Sequence, residues 1–101
     1  MLQKRKAIRS KAITQAARGE SCSVCGKISE TTVFCHLNES WAGKSLSKKA
    51  DDIAGFFGCN ECHKQYDSVP MGLDRWEVMR AMYRTWRRLY ELGIITIKGA
   101  E

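Results

Sequence analysis

Cys22-Ser-Val-Cys25 and, after 33 intervening residues, Cys59-Asn-Glu-Cys62-His63-Lys-Gln-Tyr-Asp67 decide how this chain reads. Two residues between cysteines let one tight turn aim both sulfurs at a single ion. Two such turns complete a tetrahedral four-thiolate shell, the geometry of structural zinc. The separation exceeds the roughly 15–20 residues of a compact ribbon, so the insert between the knuckles must form structure of its own. The competing account, a redox couple or buried thiols, needs two unrelated Cys-x-x-Cys turns in one small domain and is less economical. The fifth cysteine, Cys35, reads as a buried strand residue.

Outward from the knuckles, Thr31 to Leu37 (TTVFCHL) and Ile53 to Gly58 (IAGFFG) are β-branched, aromatic or apolar, which predicts two strands. Asn38 to Lys49, with one glycine, three serines and three lysines, predicts an exposed loop between them. The second knuckle should feed a short helix from His63 to about Asp67. Upstream, Ser10 to Arg18 predicts a short helix with Ser10 as N-cap and Gly19 as stop. Downstream, Asp74 and Glu77 have capping-box spacing, and Leu73 and Val78 take the hydrophobic-staple positions. That helix should run to Leu92 and end at Gly93. Trp76, Met79, Tyr83, Trp86 and Tyr90 recur at helical spacing and read as its core stripe, with Arg80, Arg84, Arg87 and Arg88 opposite. Ile94 to Lys98 reads as a short terminal strand.

The 101 residues amount to one small domain. The expected division is a basic N-terminal arm and helix over 1–18, the knuckles and the unit they enclose over 20–68, and a C-terminal helix over 74–92. With 44% apolar residues the core is modest, and a metal staple would strengthen it. No apolar run approaches the roughly 20 residues of a membrane-spanning helix, so no membrane role is expected. The odd cysteine count, with no apolar signal segment after the basic start Met1–Lys6, points to a reducing, cytoplasmic compartment.

Charge is unevenly placed. The net formal charge is +6, and residues 1–18 alone carry six bases and no acid. Such an arm grips phosphate backbones, or is simply a solvated terminus. The Arg80–Arg88 face reads as a solvated helix surface or a phosphate track, with Arg84 and Arg88 as its candidates. Lys44, Lys48 and Lys49 in the long loop are the better-placed phosphate contacts. Trp41 in that loop would stack on a base or cover the zinc site.

The two histidines, His36 and His63, lie within or beside the stretch the knuckles clamp. Strand, loop, strand, knuckle and helix make a ββα unit in which they can approach each other. Asp67 follows His63 by four residues, so both project from one helix face, a spacing that can hold a divalent ion.

The strings Ala16-Ala-Arg-Gly-Glu-Ser-Cys22, Glu30-Thr-Thr-Val-Phe-Cys-His36-Leu and Cys59-Asn-Glu-Cys-His63-Lys-Gln-Tyr-Asp67 resemble a family of small phage and prophage nucleases. That family is itself similar to the HNH, or ββα-metal, endonucleases. The resemblance covers about residues 12–95. It implies a four-cysteine zinc beneath a ββα-metal site that cuts DNA. By position, His36 matches the general base, His63 the metal-binding histidine opening the helix, and Asp67 its second helical ligand. Asp52 falls near the position where a central asparagine steadies the base. Where HNH enzymes often place a metal ligand before the base, this chain has Cys35, a thiol poorly suited to Mg²⁺.

These readings converge on an α+β fold: a small zinc-stabilised, HNH-like ββα-metal domain with a basic N-terminal arm and a long C-terminal helix. The expected function is a metal-dependent DNA endonuclease of phage or prophage origin. It would carry structural Zn²⁺ on Cys22, Cys25, Cys59 and Cys62 and a second ion such as Mg²⁺ or Mn²⁺ on His63 and Asp67. Duplex, single-stranded and branched DNA all fit as its substrate, and breaking both strands of a duplex takes either a homodimer or two sequential nicks. The alternatives are a non-catalytic zinc-ribbon protein that binds nucleic acid, and an adaptor that docks a phage or host protein.

Overall fold

In the computed structural model, which describes residues 6–68 and 72–100, two strands pair antiparallel between the knuckles: β1 (Val33–His36) and β2 (Gly55–Gly58). Val33 faces Gly58, Phe34 faces Phe57, Cys35 faces Phe56, and His36 faces Gly55. Alternation sends Phe34 and Phe57 to one face and Cys35 and Phe56 to the other. Both strands are shorter than the sequence predicts, although the Leu37 N–H still bonds the Ala54 carbonyl at 3.0 Å just beyond them.

Each face builds its own core. Phe34 and Phe57 pack with Ile13, Ala17 and Leu89. Cys35 and Phe56 pack with Leu37, Ala42, Ala50, Ala54 and Ala81. Helix α1 (Lys11–Gln15) supplies Ile13 to the first core. It is shorter than expected, but Ser10 caps it as predicted, its hydroxyl accepting the Ile13 N–H.

The longest helix, α3 (Arg75–Glu91), has the expected capping box: Asp74 accepts from the Glu77 N–H, and Glu77 accepts from the Asp74 N–H. It serves both cores, through Ala81 and Leu89. Between them, the buried Thr85 hydroxyl accepts the Phe57 N–H at 2.9 Å and bonds Ser23 Oγ at 3.0 Å. The Phe57 carbonyl accepts the Ser23 N–H at 2.8 Å. The outer edge of β2, which would otherwise offer unpaired backbone groups to another chain, is thus covered by α3 and the first knuckle.

The expected core stripe of α3 is overturned. Trp76 (67% exposed), Met79 (52%) and Tyr83 (68%) point to solvent, and Trp86 is half-buried; the exposed Arg80 and Arg87 share that outer face rather than lying opposite it. The inward line is Val78, Ala81, Met82, Thr85 and Leu89. Small residues at 81 and 85 let the helix backbone approach β2, and bulky aromatics there would hold it off. The predicted strand at Ile94–Lys98 is also absent; Ile94 and Ile95 instead fold back onto the α3 core, both N–H groups bonding the Leu89 carbonyl.

Two glycines hold the hairpin close. A Cβ at Gly55 would clash with the Cys35 carbonyl oxygen, and one at Gly58 would lie 2.7 Å from Cys35 Sγ. The long loop is exposed from Lys44 to Lys49 as expected, but it opens with a 3-10 turn at Ser40–Ala42 that seats Ala42 in the core. No helix of the described residues is long and apolar enough to cross a membrane.

Candidate metal centre and histidine site

The first knuckle is a tight turn. The Gly26 N–H bonds the Cys22 carbonyl at 2.9 Å, and the Cys22 N–H bonds the Lys27 carbonyl at 2.9 Å. The second knuckle runs directly into helix α2 (Asn60–Ser68), whose His63 N–H bonds the Cys59 carbonyl at 2.9 Å. The Thr31 hydroxyl accepts the Asn60 N–H at 2.9 Å and so caps the start of α2.

The knuckles bring the sulfurs of Cys22, Cys25, Cys59 and Cys62 within 4.8 Å of one another, and Cys25 Sγ lies 3.9 Å from Cys59 Sγ. A tetrahedral zinc with bonds of about 2.3 Å needs sulfurs about 3.8 Å apart. The donor set therefore fits, and these four cysteines can hold a metal such as zinc. Burial alone would raise the Cys22 thiol, but N–H groups of Cys25, Cys59 and Val24 outweigh it and bring it to about 7. Burial and the neighbouring sulfurs push Cys62 up. Four thiolates cannot share so small a volume without a cation to neutralise them.

Cys35 is apart from this cluster. It is fully buried on the sheet, and burial pushes its thiol up to about 12. It is the strand residue the sequence predicts.

His36 ends β1. Its Nε2 lies 2.8 Å from Oδ1 of Asp52, which is 4% exposed. The segment before α1 holds that carboxylate in place. The Ser10 N–H donates to Asp52 Oδ2 at 2.7 Å, Arg9 Nη1 approaches Oδ1 at 3.4 Å, and the Asp52 N–H bonds the Ile8 carbonyl at 2.9 Å. Arg9 also donates to the carbonyls of Ala50 and Lys49, at 2.7 and 2.9 Å. Burial would raise the Asp52 pKa, but these donors, His36 first, hold it below the usual carboxylate value. Asp52 is therefore an anion at neutral pH. The basic arm is thus partly structural; Lys4 and Arg5 lie outside the described residues.

His63 and Asp67 face each other across one turn of α2, with Nε2 2.8 Å from Oδ2, and both are partly exposed. Asn38, two residues after His36, donates its amide to Asp67 Oδ1 at 2.9 Å, and its N–H bonds the Tyr66 hydroxyl at 2.9 Å. Sequence reasoning missed Asn38, Arg9, Ser10 and Tyr66. The nearness of Asn38 to His36 was the available signal. Among the described residues, only the four cysteines form a cluster of three or more metal-ligating side chains.

The arginines of α3 are partly occupied. Arg88 forks onto both carboxylate oxygens of Glu20, Arg87 pairs with Glu91 at 3.3 Å, and Arg84 donates to the Ser23 carbonyl at 3.0 Å. Arg88 therefore serves to tie α3 to the chain before the first knuckle.

A small α+β protein with a four-cysteine cluster able to hold a metal and a paired histidine and buried aspartate is the class these features define. Residues 11–94 match the model of the family described as "Putative nuclease YbcO", and the chain belongs to that family. No curated protein and no solved structure matches it.

Proposed function

We propose that this chain, as one domain, is a metal-dependent DNA endonuclease of the HNH-like ββα-metal type, of phage or prophage origin and acting in the bacterial cytoplasm. The observation that carries the reading is the His36–Asp52 pair at the end of β1, in a chain whose family is named for nuclease activity. The order β1, β2, α2, with His36 on the first strand and His63 in the first turns of the helix, is the arrangement a ββα-metal site requires.

In this reading Asp52, being ionised, accepts the Nε2 proton of His36. That leaves the Nδ1 lone pair to take a proton from the attacking water, as a general base does. Asp52 fixes the tautomer and steadies the imidazolium that forms, the part an asparagine plays in the wider group. His63 and Asp67 would hold a divalent ion such as Mg²⁺ or Mn²⁺, with Asn38 orienting the carboxylate. Their 2.8 Å separation is near the roughly 3 Å between adjacent ligands of an octahedral ion with bonds of about 2.1 Å. Such an ion stabilises charge on the phosphate and the leaving oxygen. Cys22, Cys25, Cys59 and Cys62 would carry structural zinc, and the exposed Lys44, Lys48 and Lys49 would meet phosphates, with Arg84 and Arg88 as secondary contacts.

The test is plasmid nicking by wild type and His36→Ala with Mg²⁺, Mn²⁺ or Ni²⁺ added, the two proteins matched for zinc content and helical signal. Nicking by wild type alone supports the reading. Equal nicking by both removes His36 from the chemistry. Nicking by neither favours a non-catalytic zinc protein that binds nucleic acid.

A further inference from the structure

The face of α3 that the core does not use has a regular composition. Trp76, Arg80, Tyr83 and Arg87 follow one another at spacings of four, three and four residues, which lines them along one ridge of the helix. All four are exposed. Met79, 52% exposed, flanks the ridge. No ion pair holds Arg80 among the described residues, and Arg87 reaches only Glu91. Along its C-terminal half the ridge borders a cleft of about 410 Å³ between α3 and the first knuckle, walled by Tyr83, Arg84, Arg87 and Glu20 among others.

Trp76, Met79 and Tyr83 together form an exposed apolar patch rimmed by arginines, the kind of surface that marks a binding face. Charge decides between occupants. Helix α3 carries five arginines against two glutamates. A second copy docked on this ridge would set like charges against each other across a two-fold axis, which disfavours it. A polyanion with flat apolar faces satisfies both features: bases stack on the rings while arginines meet the phosphates. Trp76 and Tyr83 stand about 10 Å apart along the helix axis, too far to clasp one base and suited to separate bases of one strand. Bases within a duplex are stacked on each other and cannot offer these faces.

We infer that the Trp76–Arg80–Tyr83–Arg87 ridge is a stacking platform for a single-stranded segment of nucleic acid, so that the nuclease substrate carries unpaired bases. The inference rests on the nucleic-acid side of the proposed function and not on cleavage itself.

The test is the affinity of the full-length protein for a labelled oligothymidine strand and for a hairpin duplex of equal length, read by fluorescence anisotropy without added divalent ion. Wild type is compared with Trp76→Ala/Tyr83→Ala and with Trp76→Phe, all matched for helical signal and zinc content. Loss of both rings should weaken single-strand binding by tenfold or more. Duplex affinity should change less than twofold, and Trp76→Phe should keep most of the single-strand affinity. Unchanged single-strand affinity, or equal loss on both forms, overturns the inference. So does a wild type that ignores the single strand. A wild-type dimer that the double variant turns monomeric in sedimentation would assign the ridge to a copy interface and also overturn it. Ridge-dependent binding by a wild type that nicks no DNA keeps the platform and removes the nuclease reading.

Discussion

His36 Nε2 and Asp52 Oδ1 lie 2.8 Å apart across 16 residues of chain, and Asp52 is further held by the backbone N–H of Ser10. One carboxylate therefore joins the end of β1 to the segment that starts α1. In Asp52→Asn, the amide oxygen stays on the Ser10 N–H, so the NH₂ faces the ring and either opposes the Nε2 proton or drives it to Nδ1, and Arg9 loses its carboxylate partner. A loss of about 1–3 kcal/mol is expected in urea unfolding. If His36 is the base, nicking should fall together with Asp52→Asn and Asp52→Ala, while zinc content stays at wild-type level.

The same carboxylate gives a pH dependence of known sign. Its pKa is lowered by folding. Its contribution is therefore complete above the unfolded value of about 4 and fades as pH falls through the lower folded value. Thermal unfolding of wild type should lose stability below about pH 4 more steeply than Asp52→Ala, which has already lost this contribution. Parallel curves would remove Asp52 as the acid-sensitive group.

Thr85 makes a structural test free of the chemistry. Thr85→Val keeps the shape but leaves the buried Phe57 N–H without its acceptor. A cost of about 1–3 kcal/mol is expected, with nicking unchanged at temperatures where the variant is folded. A neutral result would mean that water reaches the outer edge of β2.

Cys35 and Cys62 should behave oppositely. Cys62→Ser removes one of the four sulfurs, and bound zinc measured by mass spectrometry should drop with the loss of α2 helical signal. Cys35→Ala removes one buried sulfur from the sheet core. It should cost about 1 kcal/mol and leave metal content and activity intact. In native wild type, the Cys35 thiol, pushed up to about 12, should resist alkylation until the protein is unfolded.

The parts of the fold legible in the sequence are those written locally. The knuckles are spelled by Cys-x-x-Cys, the start of α3 by Asp74 and Glu77, and the cap of α1 by Ser10. The pairing of His36 with Asp52 was suggested by family resemblance; no local pattern links residues 16 apart. Hydrophobicity ranks Trp76 and Tyr83 above Ala81 and Thr85, and so points to the wrong face of α3. Close approach to β2 selects small residues instead, and α3 carries apolar side chains on both faces, so periodicity alone does not say which one turns inward. The terminal strand failed because β-branched residues at 94 and 95 serve equally well as packing against Leu89.

The tight fit of Gly55 and Gly58 against Cys35 has a consequence for genetics. In a saturation screen for function, these two positions should tolerate almost nothing, since even alanine would meet the Cys35 carbonyl or sulfur at under 3 Å. On the proposed nuclease reading they would score beside His36 in such a screen while contributing no chemistry. Only an abundance readout run in parallel would separate residues that shape the hairpin from residues that act on a substrate.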